Sequence, residues 1–285
     1  MVIVKVLGGL GNQMFQYAYA KSLQSLGHNV KIDNSSFDTY TLHGGYQLDK
    51  YDIDLEIASR DDILSVCKGS IGKKILRVMG IGGMTKVKES GLIFDNRYLN
   101  IGDCAYVKGY FQSELYFRGV REALIRQFSL HKVSSYTKVI ENQILNESSS
   151  CSLHVRRGDF INSVNIDIHG FCGVDYYMKS IDLISAKFKD TRFFVFSDDM
   201  NWVKKHLAIK NAVYLDSKDL RDPHEDIYLM SLCKNNIIAN SSFSWWGAWI
   251  NKNKQKNVIA PRKWFEDNKL QKESKTIVCG DWTKV

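Results

Sequence analysis

Two adjacent arginines in the middle of the chain are the side chains best suited to bind a phosphate group. They stand in the segment HVRRGD (154–159), at the end of the predicted buried strand Ser152–Arg156. A buried guanidinium needs an anion, and its planar fork fits the oxygens of a diphosphate. The alternative is an internal ion pair in which Asp159 neutralises Arg157 while Arg156 faces the ligand.

A second candidate anion site lies in the segment NSSFSWWG (240–247), where Asn240, Ser241 and Ser242 stand between a predicted strand and a predicted helix. Hydroxyl groups and unbonded backbone N–H groups at the start of a helix attract anions. The same diphosphate would therefore meet this helix start. Simple helix capping explains each serine equally well.

The glycine-rich loop GGLGNQ (8–13) is the third candidate. It suggests dinucleotide binding, because Asp33 ends the next predicted strand about 20 residues on, but Met14 occupies the last glycine position of that fingerprint. A tight turn from strand to helix explains the glycines. The backbone at Gly9, Gly11 and Asn12 also opens a helix and offers N–H groups to an anion.

Three acidic spots are candidates for a metal ligand or a base. Asp52 and Asp54 form a D-x-D pair without a clear preceding strand. Asp198 and Asp199 directly follow the predicted strand Arg192–Ser197, so we expect them to border the cleft. Asp226 lies on a predicted helix, where it either accepts hydrogen bonds from a nucleoside or faces solvent.

The elements that must position these residues alternate between strand and helix, which predicts α/β domains with parallel, doubly wound sheets. We expect a first domain at 1–148 and a second at 149–285, facing each other across a cleft, with ligands at the carboxyl ends of the strands. Between Phe37 and Leu99 the periodicity supports only short helices. The predicted strands are Val2–Val6, Val30–Asp33, Tyr106–Phe111, Ser152–Arg156, Arg192–Ser197, Ala212–Leu215, Asn236–Ala239 and Val258–Ala260. The predicted helices include Glu114–Phe128, Tyr136–Leu145, Asp175–Phe188, Trp202–Ala208, His224–Cys233 and Phe243–Ile250.

Composition narrows the class of protein. The 285 residues include 39 Lys and Arg against 31 Asp and Glu, a formal charge of +8, and 44% are hydrophobic. This charge is too mild to indicate nucleic-acid binding.

Two basic stretches, Lys68–Lys88 and residues 251–275, suggest either solvated faces or contact with an anionic membrane surface. The six scattered cysteines predict neither disulfides nor a zinc site. No apolar run approaches the ~18 residues of a membrane span, so we expect a cytoplasmic protein.

Taken together, the glycine loop and its continuation MFQYA (14–18), the HVRRGD segment and the NSSFSWW segment resemble the bacterial α-1,2-fucosyltransferases of glycosyltransferase family 11. The resemblance implies a GT-B-like fold of two Rossmann-type domains, an acceptor-side domain followed by a domain that binds GDP-fucose. It also implies inverting transfer of L-fucose to the 2-hydroxyl of a galactoside, without a metal or other cofactor. A lipid-linked surface glycan of the O-antigen type would be the natural acceptor, and the enzyme would work in the cytoplasm, at the membrane face if the basic stretches bind there.

The resemblance also assigns roles to residues. Arg156 would contact the β-phosphate and His154 would lie near the guanine, while Asp226 would bind the nucleoside; Arg157 and Asp198 are expected to border the donor. For the general base, Asp159 is the first candidate, ahead of Asp167 and His169. Other GDP-sugar transferases that form α-1,6 or α-1,3 bonds remain an alternative, as does a nucleotide-sugar-binding module without turnover. The sequence does not select the acceptor.

Overall fold

The computed structural model describes residues 1–40, 44–68, 85–157, 166–216 and 221–285. The chain divides into two compact units. The first comprises Met1–Phe128 and Lys275–Ile277, and the second comprises Ser129–Ser274 and Val278–Val285. Each unit contains one sheet, and every strand pair in both sheets is parallel. This topology confirms the predicted α/β, GT-B-like class with two Rossmann-type units.

The first unit is built on a four-stranded sheet in the order β2-β1-β4-β3. The first strand of the chain is an inner strand of this sheet, and its residues Val2, Ile3 and Val4 are fully buried. The strands of this unit are β1 (Val2–Lys5), β2 (Val30–Asp33), β3 (Thr85–Lys88) and β4 (Ala105–Lys108), and its helices are α1 (Leu10–Ser25), α2 (Arg60–Lys68) and α3 (Arg121–Gln127). Short 3-10 turns lie at Ser35–Asp38, Leu48–Lys50, Asn96–Tyr98, Glu114–Tyr116 and Arg118–Val120, and another at Ser274–Thr276 spans the two units.

Two buried glutamines on α1 hold the loops around the glycine-rich segment. Gln13 donates from Nε2 to the carbonyls of Gly8 and Gly45, at 2.9 and 2.8 Å, and its Oε1 accepts from the N–H of Gln47. Gln16 accepts from the backbone N–H of Leu7 at 2.9 Å. Because buried backbone groups must be hydrogen-bonded, these amides replace the partners that a regular element would supply.

We therefore expect Gln13→Ala to lower the free energy of unfolding by about 2–3 kcal/mol, because it leaves buried backbone groups unsatisfied. The matched control is Gln24→Ala on the exposed side of the same helix, which should change stability by less than about 0.5 kcal/mol. Urea denaturation of both variants measures the difference. Equal stabilities would show that Gln13 does not support these loops.

Two sequence predictions in the first unit differ from the structure. The stretch expected to form one helix, Glu114–Phe128, consists of two 3-10 turns followed by α3. The extended φ of Phe117, −141°, interrupts the helix while its ring and that of Tyr116 are buried. Strand β3 was not predicted, because its sequence alternates lysine with only one large apolar residue.

The second unit is built on a six-stranded sheet in the order β10-β9-β8-β5-β6-β7. All six residues of β5 are buried. The strands are β5 (Ser150–Val155), β6 (Arg192–Ser197), β7 (Ala212–Asp216), β8 (Asn235–Ile237), β9 (Val258–Ala260) and β10 (Thr283–Lys284). The helices are α4 (Ser135–Asn146), α5 (Ile166–His169), α6 (Val174–Lys187), α7 (Met200–His206), α8 (Pro223–Leu232), α9 (Ser242–Trp249) and α10 (Asn268–Glu273).

The boundary between the units lies at 128/129, whereas the sequence placed it at 148/149. Helix α4 belongs to the second unit because its cap is tied to α8. The carboxylate of Glu225 accepts hydrogen bonds from the backbone and hydroxyl of Ser134 and from the hydroxyl of Thr137. A Ser, Lys and Asn-rich composition indicates exposed chain, but it does not show which domain an amphipathic helix packs on.

Three smaller expectations concern cysteines and charged stretches. The described cysteines, at 104, 151, 172, 233 and 279, are not in disulfide bonds. Most of the first basic stretch, Lys68–Lys88, lies outside the described residues. In the second stretch, Lys256 donates to the carbonyls of Ala248 and Asn251 at the end of α9, a structural use of one cation. Within the described ranges, no helix combines the length and apolarity needed to cross a bilayer.

Candidate functional site

The carboxyl ends of three neighbouring strands bring most of the predicted site residues to one edge of the second sheet. Val155 at the end of β5 pairs with Ser197 at the end of β6, and Leu153 pairs with Ile237 at the end of β8. The segments that follow are therefore adjacent in space, although about 40 residues separate each from the next. This edge is where open parallel sheets bind their ligands.

Arg156 is held at this edge by an aspartate from the neighbouring strand. Its Nε lies 3.1 Å from Oδ2 of Asp198, and Oδ1 of the same carboxylate accepts from the backbone N–H of Arg157 at 2.8 Å. The Arg156 side chain is 28% exposed. Binding Nε from one side fixes the plane of the guanidinium, whose Nη groups lie farther out on the side chain. Asp198, which was expected to border the donor, therefore orients Arg156.

Arg157 occupies a different environment. Its guanidinium lies between two aromatic rings, 4.0 Å from the centroid of Trp202 and 4.7 Å from that of Phe171, and its Nε is 3.5 Å from a carboxylate oxygen of Asp199. Cation–π contacts of this kind stabilise a partly desolvated arginine. The structure thus favours the alternative in which Arg157 has a structural role, with Asp199 as a partner. Asp159, proposed as that partner, lies outside the described residues.

His154 is buried beneath this edge. The side chain is 4% exposed, and its ring centroid lies 5.6 Å from that of Phe243 at the start of α9. Burial, with a smaller effect from the charge of Arg156, lowers the pKa of His154 to about 3. Its Nδ1 is buried and forms no hydrogen bond with any residue that the structure describes. His154 is therefore neutral at physiological pH and adds no charge to the site.

This pKa makes a prediction for stability. The unfolded histidine titrates near pH 6.5 and the folded one near 3, so protons stabilise only the unfolded chain between these values. The free energy of unfolding should fall as the pH drops below 6.5, by about 2 kcal/mol at pH 5. His154→Gln should lack this component, whereas His131→Gln, at an exposed position, should retain it. Urea denaturation between pH 5 and 7.5 measures the slopes; parallel curves for wild type and His154→Gln would contradict the assignment.

The start of α9 combines a capped helix with a tied asparagine. The hydroxyl of Ser241 accepts from the N–H of Phe243 at 3.3 Å, and Ser242 begins the helix with a half-buried side chain. The amide of Asn240 donates to the carbonyls of His169, Gly170 and Trp264. Asn240 was expected to bind the donor, but its amide hydrogens hold neighbouring loops. The serines remain positioned to meet an anion.

The residue at the start of α8 that sequence reasoning missed is Arg221. Its side chain is 1% exposed and forms an ion pair with Asp226, the expected nucleoside ligand. Its guanidinium carbon also lies 5.8 Å from the ring centroid of Tyr136. The sequence could have indicated this ion pair only through the five-residue spacing of the two charges. Ion pairs on a helix are usually spaced by three or four residues, so this spacing did not predict one.

The remaining candidates lie elsewhere or have other partners. Gly9, Gly11 and Asn12 belong to the first unit, where the side chain of Asn12 accepts from Nε2 of Gln112 at 2.7 Å. The two weaker base candidates are described: Asp167 is exposed on α5, and His169 is half-buried, which lowers its pKa.

Of the carboxylates considered for metal or dinucleotide binding in the first unit, Asp52 is exposed, whereas Asp54 and Asp33 have internal partners. Asp54 forms an ion pair with Lys21 at 2.6 Å and accepts from the hydroxyl of Tyr17. Asp33 is buried and accepts from Tyr106 and from the backbone of Ser35. Burial alone would raise the pKa of Asp33, but these hydrogen bonds hold it below its usual value. Both groups therefore stabilise the first unit. The tryptophans Trp245 and Trp246 are fully buried, as expected of core residues.

Comparison with known proteins gives a consistent family. The profile of glycosyl transferase family 11 matches residues 90–285. An alpha-1,2-colitosyltransferase of Escherichia coli is 35% identical over 95% of this chain and 94% of its own. The O-antigen biosynthesis glycosyltransferase WbnK of Escherichia coli is 30% identical over 93% and 95%. The mouse galactoside 2-alpha-L-fucosyltransferase Sec1 is 26% identical over 55% of this chain and 45% of its own.

Proposed function

Because the chain belongs to glycosyltransferase family 11, we propose that it transfers L-fucose from GDP-β-L-fucose to the 2-hydroxyl of a galactoside with inversion. The product would carry an α-1,2 linkage in a bacterial surface glycan of the O-antigen type. The names of the relatives support the linkage and the glycan class, since one is an alpha-1,2-transferase and another acts in O-antigen biosynthesis. The mouse relative supports fucose as the sugar and a galactoside as the acceptor.

The observation that carries the proposal is the fixed guanidinium of Arg156 at the carboxyl edge of the sheet, beside Asp198. In the proposed reaction the bond from C1 of fucose to the β-phosphate oxygen breaks, and its electron pair leaves on GDP. Negative charge therefore grows on the diphosphate in the transition state. A cation held in place before the reaction stabilises this charge without reorganisation.

The other described residues take supporting roles in this proposal. The N–H groups and serines at the start of α9 would meet the phosphates from the neighbouring strand. Asp226, held by Arg221, would bind the nucleoside. We propose that these fixed groups suffice without a metal ion. The acceptor hydroxyl attacks C1 from the opposite face and gives its proton to a base, for which Asp159 remains our candidate.

A second donor has specific support. The relative with 35% identity is a colitosyltransferase, and colitose is L-fucose without its 3-hydroxyl. The same leaving group and linkage would serve both sugars. Discrimination would depend on a group that hydrogen-bonds the 3-hydroxyl, because a site built for a hydroxyl strongly rejects the analogue that lacks it.

The experiment offers purified protein GDP-fucose or GDP-colitose, with Galβ1-3GlcNAc, Galβ1-3GalNAc or Galβ1-4Glc, in EDTA, and NMR gives the linkage. We expect GDP release with an α-1,2-fucosylated galactoside. Preference for GDP-colitose would support the second donor, and an α-1,3 or α-1,6 product would contradict the linkage. Binding of GDP-fucose without product from any acceptor would favour a non-catalytic module. Strict dependence on added manganese would contradict the metal-free mechanism.

We also propose that the protein contacts anionic membranes peripherally through the basic stretch at 251–275, which carries five more cations than acids. Attraction to anionic lipid is screened by salt and grows with the number of cations. The protein should co-sediment with vesicles containing phosphatidylglycerol and not with phosphatidylcholine alone. Equal sedimentation with both would contradict this proposal.

A further inference from the structure

A depression of about 220 Å³ opens beside the phosphate-binding edge, wholly within the second unit. It lies between the loop before α6, the end of β8 and the segment after β9. Its walls include the aromatic rings of Phe171, Tyr176 and Phe265. Pockets for drug-sized ligands measure ~300–1,000 Å³, so this one is suited to a single small ring.

Hydrogen bonds hold the walls of this pocket in place. The amide of Asn240 joins the carbonyls of His169 and Gly170 on one wall to that of Trp264 on the other, at 2.9, 3.3 and 3.1 Å. The N–H of Glu266 also donates to the carbonyl of Ile168 at 3.0 Å. The pocket is thus formed before a ligand enters, which reduces the entropy lost on binding.

The lining favours an uncharged, polar ring. Two cations lie at the rim, but Lys263 is ion-paired with Glu266, and Arg262 donates to the carbonyl of Lys284. A phosphate site would hold cations that converge on one point. An aromatic wall with a carboxylate and a guanidinium at its rim suits a pyranose, which has an apolar C–H face and hydroxyls around its edge.

The position of the pocket connects it to the reaction. The Phe171 ring contacts the guanidinium of Arg157 at 4.7 Å, and Arg157 is the chain neighbour of Arg156. On the other side, Asn240 immediately precedes the serines at the start of α9. A sugar ring in the pocket would therefore lie next to the edge that we assign to the diphosphate.

We propose that this pocket is a subsite for a pyranose ring of one of the two substrates, either the sugar of the donor or a residue of the acceptor. The proposal rests on the proposed function for its choice of sugars. A pyranose of the donor and one of the acceptor would be recognised by the same contacts, so the experiment must distinguish the two substrates.

The main test adds a side chain at the pocket wall without straining the backbone. Gly173 lines it, a Cβ at this position would contact nothing within 4 Å, and its φ of −75° is open to any residue. Gly173→Asn adds a side chain there and keeps a preferred cap for α6. The matched control is Gly280→Asn, at an exposed glycine of the same unit that also has open space. Phe171→Ala is a second variant that removes the aromatic wall.

Gly173→Asn and Phe171→Ala should raise one sugar-dependent KM at least about fivefold, while the Kd of GDP for Gly173→Asn and all constants of Gly280→Asn stay at wild-type values. A higher KM for GDP-fucose, with slower hydrolysis of GDP-fucose alone, would assign the donor sugar. A higher KM for the galactoside with unchanged hydrolysis would assign the acceptor. Unchanged values of both KM in folded Gly173→Asn would overturn the proposal.

A binding measurement separates this proposal from the proposed function. In saturation-transfer NMR, methyl α-L-fucoside or methyl β-D-galactoside should receive magnetisation from wild type and from Gly280→Asn, but not from Gly173→Asn. This result would support the pocket even if the chain transferred no fucose. Equal transfer from all three proteins would contradict the pocket even if the chain were an active fucosyltransferase.

Discussion

Arg156→Ala is expected to lower kcat by about a hundredfold or more while the protein stays folded. Removing one preorganised group that stabilises transition-state charge typically costs about 3–4 kcal/mol, and each 1.36 kcal/mol is a factor of ten in rate. The guanidinium is held by Asp198 before any ligand binds, so the whole interaction is available when charge develops on GDP. Initial rates at saturating donor and acceptor measure kcat.

Arg192→Ala is the matched control for this variant. Arg192 forms an equivalent ion pair, with Glu147 at 2.7 Å, at the amino end of the neighbouring strand and so at the opposite edge of the same sheet. Its loss should leave kcat within about twofold, because the pair lies at the opposite edge from Arg156. A partly exposed ion pair of this kind contributes ~0–1 kcal/mol to stability. Similar turnover in the two variants would refute the role of Arg156.

Asp198→Asn should lower kcat by about ten- to a hundredfold without weakening the binding of GDP. In the proposed mechanism the carboxylate positions Arg156 and does not itself touch the substrate, and a misplacement of about 1 Å can cost a factor of ~100 in rate. Removing this negative charge should also strengthen attraction for phosphates. The stronger attraction stabilises the bound substrate and the transition state by nearly the same amount. It should therefore lower the Kd of GDP but should not raise kcat.

The opposite changes of these two quantities distinguish positioning from simple loss of structure. Calorimetry with GDP should give an equal or lower Kd for Asp198→Asn, whereas a damaged fold would weaken binding and turnover together. Glu147→Gln breaks the control ion pair at the far edge and should change neither quantity. Weaker GDP binding by Asp198→Asn, or wild-type kcat, would contradict the positioning role.

The sequence predicts the edge of the second sheet well because its strands have strong local signals. An unbroken apolar run, Phe193–Phe196, precedes Asp198, and apolar residues alternate with polar ones in the strand before Arg156. Parallel strands then place both residues at the same edge of the sheet. Strand β3 and the interrupted helix after Ser113 have no comparable signal. Their conformations depend on packing in the first unit, which local periodicity does not encode.

The partners of individual side chains could not be predicted for the same reason. Arg157 lies between Phe171 and Trp202, which are 14 and 45 positions away along the chain. For Asn240, the sequence does not show whether the side-chain amide binds a ligand or, as in the structure, three backbone carbonyls. Motif spacing identified the residues that meet at the site. Only the tertiary structure shows that Arg156 and Arg157 have different roles, because the guanidinium of Arg157 packs against aromatic rings.

A crystal structure with GDP tests the central claim most directly, because it locates the diphosphate. The account predicts β-phosphate oxygens about 2.7–2.9 Å from the guanidinium of Arg156, close to the first N–H groups of α9, with Asp198 still bound to Nε. A diphosphate bound only against the glycine-rich loop at 8–13, with Arg156 contacting no phosphate oxygen, would contradict it.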